Sequence, residues 1–182
     1  MAGTPANLEL GPCIVEFGVS GSEVDLGFTR GGVTMIVDTM TVNVTTDQFG
    51  LTPMKQIVVG RTATIRCPFA ETDLLLMSKI VPGASHVIDL VTSTKKKTVI
   101  NTPIGRDLLS ADAVSLRITK AIAGVVSSNS NDKFRFYKAA PSGRIETSFS
   151  IENQRIWTVD FTAFPDSTRS FDLGVFGDET AA

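Results

Sequence analysis

Alternation of apolar and polar residues along three segments constrains the fold of this chain more than any other feature of its sequence. The segments are residues 40–45, 62–67 and 157–163. Side chains of a strand point alternately to the two faces of a sheet, so a strand with one buried face repeats with a period of two. The polar positions are mostly threonine, a β-branched residue that suits a strand face open to water. We therefore predict a mainly β chain whose strands have one apolar and one threonine-rich face.

Shorter apolar segments separated by turn residues fill most of the remaining chain. They are residues 13–17, 33–37, 86–90, 114–119, 134–137 and 145–150. Glycine and proline recur between them, for example at residues 31–32 and 141–143, where tight turns favour these residue types. This spacing of strands and turns predicts an antiparallel β-sandwich or half-barrel.

One short segment, residues 71–80, has the pattern of a helix. Leu74, Met77 and Ile80 cannot alternate across a strand, but they can share one side of a helix. Thr72 is placed to cap its N-terminus, and a Pro-Gly pair follows its end. We therefore expect one short α-helix.

Length and hydrophobicity set the domain organisation. A chain of 182 residues that is 42% hydrophobic can bury a core without disulfides or metals. We expect a single domain over residues 1–182 with mobile termini. Residues 1–8 lack the basic region and apolar stretch of a signal peptide, and no apolar run approaches the roughly 18 residues of a membrane-spanning helix. The sequence therefore predicts a chain that stays in the cytoplasm and does not enter a membrane.

Residues that usually carry chemistry are few and scattered. His86 is the only histidine, which excludes histidine clusters as metal sites, and residues 18–22 lack the second glycine of a nucleophile elbow. No phosphate-binding loop is present. Cys13 and Cys67 lack CxxC spacing, and their positions are compatible with two free thiols or with a disulfide. We therefore predict that the chain is not an enzyme, with no catalytic residue, metal site or cofactor.

Charge limits the partners. A formal net charge of −2 gives no large positive field that would hold a nucleic-acid backbone. The three lysines at residues 95–97 are interpreted as a solvated loop tip. The carboxylate pairs Asp107–Asp112 and Asp178–Glu179 are interpreted as surface residues. The sequence predicts no DNA-gripping surface, although DNA could slide past such a protein.

The connection at residues 47–56 is more apolar than a solvent loop should be. It carries Phe49, Leu51, Pro53 and Met54. Apolar side chains in a connection indicate that something covers them. Either a neighbouring molecule covers this loop, or the loop folds back on its own core.

The order of short motifs in residues 40–71 resembles that of the tail tube proteins of tailed bacteriophages. In that family a strand ends in an acidic residue and glutamine, and a Gly-x-Thr-Pro-like loop follows. A second strand then opens near Gly-Arg, and Pro-x-Ala-Glu begins a helix. The matching residues here are 47–48, 50–53, 60–61 and 68–71. Residues 157–166 resemble the family's closing strand, whereas residues 87–155 match nothing specific.

The resemblance implies a virion protein that assembles in the host cytoplasm. Such subunits form hexameric rings, whose sheets join into a ring-shaped barrel, and the rings stack into a tail tube. DNA passes through the lumen without specific binding and is ejected into the host. The implied partners are further copies of the chain, the baseplate and terminator proteins, and a tail sheath if the tail is contractile.

Two sets of candidate residues follow from this resemblance. The inter-ring loop would consist of Asp47, Gln48, Phe49, Leu51, Pro53 and Met54. The lumen candidates are Thr41, Asn43, Thr45, Thr62, Thr64, Thr158, Asp160 and Thr162. The alternative for these polar faces is an outer, solvent-facing surface.

Two other functions remain open at this point. The chain could be a tail terminator or another ring-forming component of a tail or injection machine, which would form one ring rather than a polymer. It could also be a β-sandwich binding module. A single Trp157 and a single Tyr137 make a poor aromatic platform for such a module.

Overall fold

Antiparallel strands form most of the structure, a computed structural model that describes residues 11–71, 73–102, 104–147, 149, 151–152 and 154–181. The strands within these ranges are β1 Cys13–Gly18, β2 Val24–Asp25, β3 Thr34–Val44, β4 Lys55–Phe69, β5 Ser85–Ile88, β6 Lys96–Val99, β7 Val114–Ile122, β8 Val125–Val126, β9 Lys133–Thr147, β10 Trp157–Phe164 and β11 Gly174–Phe176. In this part of the chain nine strands form one sheet in the order β2-β1-β7-β9-β10-β4-β3, with β11 beside β9 and β8 beside β7. β5 and β6 form a separate hairpin. The predicted mainly β, antiparallel fold class is confirmed.

The large sheet is curled into an open half-barrel. Phe17 of β1 and Phe161 of β10 are three strands apart in the sheet, about 14 Å on a flat surface. Their ring centroids nevertheless lie 5.2 Å apart, so the two rings meet across a concave face. An isolated bridge between Thr29 and Phe69 joins the segment after β2 to the end of β4. Within the subunit the sheet stays open, and this agrees with the predicted half-barrel.

Side chains on the concave face form the core, and their spacing follows the predicted alternation. On β10, Val159, Phe161 and Ala163 are buried while the residues between them are partly exposed. On β4, Ile65 and Cys67 repeat this pattern. The core also contains Val15, Phe17, Leu26, Phe69, Leu116, Ile118 and Phe136. Period-two alternation therefore identifies the core face of these central strands.

The predicted helix is present as α1, Leu74–Ile80, and it packs Met77 and Ile80 into the core. Its cap is Asp73, whose carboxylate accepts a hydrogen bond from the backbone N–H of Leu75 at 3.0 Å. The expected cap, Thr72, lies outside the described residues. In the residues that the structure covers, no helix is long and apolar enough to cross a membrane.

A second helix, α2 at Leu108–Ala111, is a single turn that the sequence pattern did not predict. Asp107 caps it by accepting from the backbone N–H of Leu109 at 3.0 Å. A hydrogen bond from Ser110 is the main reason that the pKa of Asp107 is lowered. Arg106 donates two hydrogen bonds to Asp112, at 2.6 and 2.8 Å. The two carboxylates therefore have separate structural contacts.

β9 is one strand where the sequence predicted two strands and a turn. The turn prediction at residues 141–143 is wrong, because these residues continue the strand. Register explains the difference: Phe161 pairs with Pro141 but Val159 pairs with Ile145, so β9 holds two more residues than β10 at this point. A bulge of this kind accommodates proline and glycine inside a strand.

Candidate assembly surfaces

β3 and β4 extend well beyond the rest of the sheet. β10 pairs with β4 from Ala63 to Phe69, whereas β3 pairs with β4 as far as Lys55. Residues 38–62 therefore form a two-stranded ribbon, here called the arm, and residues 45–54 form the arm loop at its end. Because an isolated two-stranded hairpin is marginally stable in water, we interpret the arm as a contact surface.

One face of the arm carries an exposed apolar stripe. Alternation along β3 puts Met40, Val42 and Val44 on the same face, and each is between 39% and 52% exposed. Val42 pairs with Ile57 of β4, which extends the stripe to the second strand. The stripe is therefore defined as Met40, Val42, Val44 and Ile57. An exposed apolar patch rimmed by polar residues is typical of a protein–protein interface.

Sequence reasoning missed this stripe, because it assigned these residues to a strand face buried in the subunit's own core. That assignment is wrong for the arm, since all of β3 is exposed. The sequence feature that could have indicated the stripe is in residues 57–59. They are apolar at three successive positions, and a strand with apolar side chains on both faces is covered on both faces.

The arm loop is exposed, and its own core does not cover it. Phe49, Leu51 and Met54 are 58%, 94% and 53% exposed, and Asp47, Gln48 and Pro53 are exposed as well. Backbone hydrogen bonds hold the loop in shape, from Phe49 N–H to the carbonyl of Thr46 and from Met54 N–H to the carbonyl of Val44. The six candidate residues therefore lie together at the end of the arm, available to another molecule.

Five of the eight lumen candidates share the convex face of the sheet. Thr162 of β10 pairs with Thr64 of β4, and Asp160 pairs with Arg66. The partly exposed residues of β10 alternate with its buried ones, so Thr158 lies on this face too. Thr62 follows Thr64 at the next alternate position of β4. This surface is a band of hydroxyl groups, in which Arg66 Nε lies 3.5 Å from Asp160 Oδ1.

The other three lumen candidates lie elsewhere. Thr62 and Thr64 pair with Asp38 and Ile36 of β3, so the even-numbered residues of β3 lie on the convex face. Thr41 and Asn43 are at odd positions of β3 and lie on the opposite face. Thr45 follows the end of β3 and belongs to the arm loop. Alternation assigns faces within a strand, but only the register between strands shows which faces coincide.

Ion pairs cross-link the convex face away from the arm. Arg117 of β7 donates two hydrogen bonds to Glu16 of β1, at 2.7 and 2.8 Å, and these bonds raise the pKa of Arg117. Arg135 of β9 contacts Glu179 at 2.6 Å, and Arg169 contacts the same carboxylate at 2.6 Å. Glu179 thus ties the C-terminal segment to the domain. The N-terminal part of the predicted mobile termini lies outside the described residues.

The chemistry-bearing residues are dispersed. His86 Nδ1 lies 3.4 Å from Thr98 Oγ1, within the β5–β6 hairpin. Cys13 and Cys67 are free thiols, and burial raises the pKa of both. Asp178 caps its own turn by accepting from Thr180. Among the described residues, no cluster of histidine, cysteine and carboxylate side chains is arranged to hold a metal ion.

Comparison with known proteins gives a distant structural similarity. No protein-family model and no curated protein matches the chain. It is similar to a chain in the tail of an empty GTA particle with C6 symmetry, at a TM-score of 0.47 and 10% identity over 88% of this chain and 93% of that one. It is also similar to a chain in the virion of a native gene transfer agent (GTA) particle, at a TM-score of 0.45 and 8% identity over the same shares. Similarity at this level concerns the path of the chain only.

Proposed function

We propose that this chain is a structural virion protein of a phage-type tail. It self-assembles into hexameric rings that stack into a tail tube, a conduit for DNA ejection into the host. The arm is the observation that carries the proposal, because it is an exposed ribbon with an apolar stripe and an apolar loop at its end. The motif order that resembles tail tube proteins lies in the arm, the rest of β4 and the two residues that follow it.

Contacts within a ring would use the open edge of the sheet. β3 is the edge strand, 11 residues long and exposed throughout. The unpaired N–H and C=O groups of an edge strand readily pair with another chain. Joining β3 of each copy to the next copy around a six-fold axis would give one ring-shaped barrel, in which each half-barrel turns its convex face to the ring axis.

Contacts between rings would use the arm loop. The apolar side chains of the loop lie beyond the paired residues of β3 and β4, so a neighbour joined along β3 leaves them free. A loop that projects past the ring meets the next ring along the tube axis. We assign the inter-ring contact to Phe49, Leu51 and Met54, which are at least half exposed.

The convex threonine band would line the lumen. Thr62, Thr64, Thr158, Asp160 and Thr162 lie on the face opposite the core. Hydroxyl groups and an Arg66–Asp160 pair give this surface little net charge, so DNA would pass without being held. The lumen assignment is therefore narrowed to these five residues.

Other partners follow from the proposed place in the virion. The ends of a tail tube meet the terminator and the baseplate, and a contractile tail adds a sheath. Assembly would take place in the host cytoplasm before the tail joins the virion. The second candidate function is a tail terminator, which the open β3 edge also fits because a terminator closes a ring without stacking.

The purified protein is expected to form rings and, at higher concentration, hollow tubes. Pairing along the open β3 edge would drive ring formation, and burial of the arm loop between rings would drive stacking. Negative-stain microscopy and light scattering over a concentration series would show both species. Single rings that never stack would identify a terminator, and a strict monomer at high concentration would contradict self-assembly.

Replacing Asp160 with lysine is expected to leave tubes intact and to slow DNA ejection from assembled virions. The substitution removes a negative charge from the convex face and places a positive one there, next to Arg66. Phosphates of the passing DNA would then be held electrostatically. Ejection is measured as the rate of DNA release, with Asp160→Asn as the matched control, because that variant also loses the Arg66 pair but adds no positive charge. Equal rates of DNA release for the two variants would contradict the assignment of Asp160 to the lumen.

A further inference from the structure

A second apolar tip projects from the β5–β6 hairpin. The hairpin spans residues 85–99 and is here called the distal hairpin. Leu90 and Val91 at its turn are fully exposed, at 103% and 95%. Asp89 fixes the turn, because its carboxylate accepts from the backbone N–H groups of Val91 and Thr92 at 2.9 and 2.6 Å. The tip is therefore a defined apolar surface.

The distal hairpin packs against α1, which follows the end of β4 that is far from the arm loop. The arm loop directly precedes β4, and α1 follows the far end of β4. Fifteen residues of extended strand separate them, a span of about 50 Å. The hairpin is held against α1, where Thr98 Oγ1 donates to the carbonyl of Leu74 at 2.6 Å. Leu74 and Leu75 of α1, the helix that holds the hairpin, are 39% and 46% exposed.

The two ends carry opposite charges. Asp47 is the only charged residue of the arm loop, residues 45–54. The distal hairpin contains three lysines, at residues 95–97, and one acidic residue, Asp89, so its net charge is +2. Opposite charges across an interface favour the correct partner, whereas like charges exclude the wrong one. A loop-to-loop contact would bring Asp47 of one copy near Asp47 of the other.

We propose that the arm loop of one copy docks on the distal hairpin of a second copy. Phe49, Leu51 and Met54 would pack against Leu90 and Val91, with Asp47 facing the lysines at residues 95–97. This inference rests on the proposed self-assembly and names the receptor surface of the arm loop. Because two different patches meet, the contact is heterologous and repeats along an axis without closing. Each ring would then present arm loops at one end and distal hairpins at the other.

The sharpest test mixes two variants that are each defective at one end. The loop variant is Phe49→Ser/Leu51→Ser/Met54→Ser, and the hairpin variant is Leu90→Ser/Val91→Ser. Neither should form tubes alone. Their equimolar mixture should form stacks of two rings and no longer ones, because each pair contains one intact loop and one intact hairpin. Negative-stain images and light scattering count the rings in a stack.

Charge reversal tests the polar part of the same contact. Asp47→Lys alone should raise the concentration needed for tube formation by about tenfold or more, because it replaces an attraction to the lysines with a repulsion. Combining it with Lys95→Glu, Lys96→Glu and Lys97→Glu should restore most of the lost assembly, because the attraction is re-established with reversed signs.

For the serine variants of the two tips, Val19→Ser is the control for loss of exposed apolar surface. Val19 is 68% exposed and lies in the turn after β1, outside both tips.

The outcomes separate this inference from the proposed function. A wild-type protein that never assembles would overturn both. Normal tubes from the hairpin variant, with tubes lost in the loop variant, would overturn the receptor assignment and leave self-assembly standing. Loss of tubes in the Val19→Ser control would show that general loss of apolar surface is responsible, and this too would overturn the assignment.

Discussion

Replacing Phe49, Leu51 and Met54 with serine should leave the subunit folded and prevent it from forming tubes. The three side chains are at least half exposed, so their loss should lower the melting temperature by less than about 2 °C. Burial in an interface stabilises by about 1.5–3 kcal/mol per side chain before ordering costs, and a ring of the proposed tube would make six such contacts at once. The expected result is an assembly defect far larger than the stability defect. Melting curves and light scattering on the same sample measure the two effects.

A matched variant shows whether the position of the side chains matters. Phe28 is 78% exposed but lies between β2 and β3, away from the arm. Phe28→Ser should therefore melt and assemble like the wild-type protein. A loop variant that melts well below wild type would show that the loop supports the subunit's own fold. Undiminished tube formation by a folded loop variant would exclude the arm loop from the inter-ring contact.

Truncating Phe161 to alanine should destabilise the subunit itself, in contrast to the loop variant. We expect a loss of about 3–5 kcal/mol in the free energy of unfolding. Phe161 is fully buried on β10, the strand between β9 and β4, and its ring contacts Phe17 across the concave face. For a domain of this size the loss corresponds to a decrease in melting temperature of about 6–20 °C. Urea unfolding monitored by circular dichroism gives the free energy directly.

Phe49→Ala is the matched control, since it removes the same atoms from an aromatic residue that is 58% exposed. It should unfold at the same urea concentration as the wild-type protein. A small effect of Phe161→Ala, below about 1 kcal/mol, would mean that β1 and β10 do not meet through a common core. Equal losses for the two variants would contradict the distinction between core and assembly surface.

The core of this fold could be predicted from the sequence where the alternation is local. Val159, Phe161 and Ala163 are buried on β10 as their spacing indicates. In the arm, the same alternation does not identify residues that are buried in the subunit. Met40, Val42 and Val44 alternate equally well, yet they remain 39–52% exposed in their own subunit. Alternation shows that a face is apolar, but it does not show which molecule buries it.

The candidate surfaces were predicted in part for a related reason. The apolar content of the arm loop was visible in the sequence, and the structure shows the loop exposed. The faces of Thr41 and Thr62 could not be compared, because the register of β3 on β4 shifts by one residue between Met40 and Thr41. Bulges of this kind depend on contacts between strands, which a single-strand pattern does not contain.

β4 runs without a break from the arm loop to the residues before α1, and this has a mechanical consequence. In a stack joined through the two ends of the subunit, tension along the axis would pass along this one strand. β3 pairs with β4 from Lys55 to Arg66, and β10 pairs with it from Ala63 to Phe69. The hydrogen bonds of antiparallel strands run perpendicular to the strand axis, so a pull along β4 loads many of them together in shear. The subunit is thereby built to resist stretching along the strand, whereas peeling β3 sideways would break its hydrogen bonds one pair at a time.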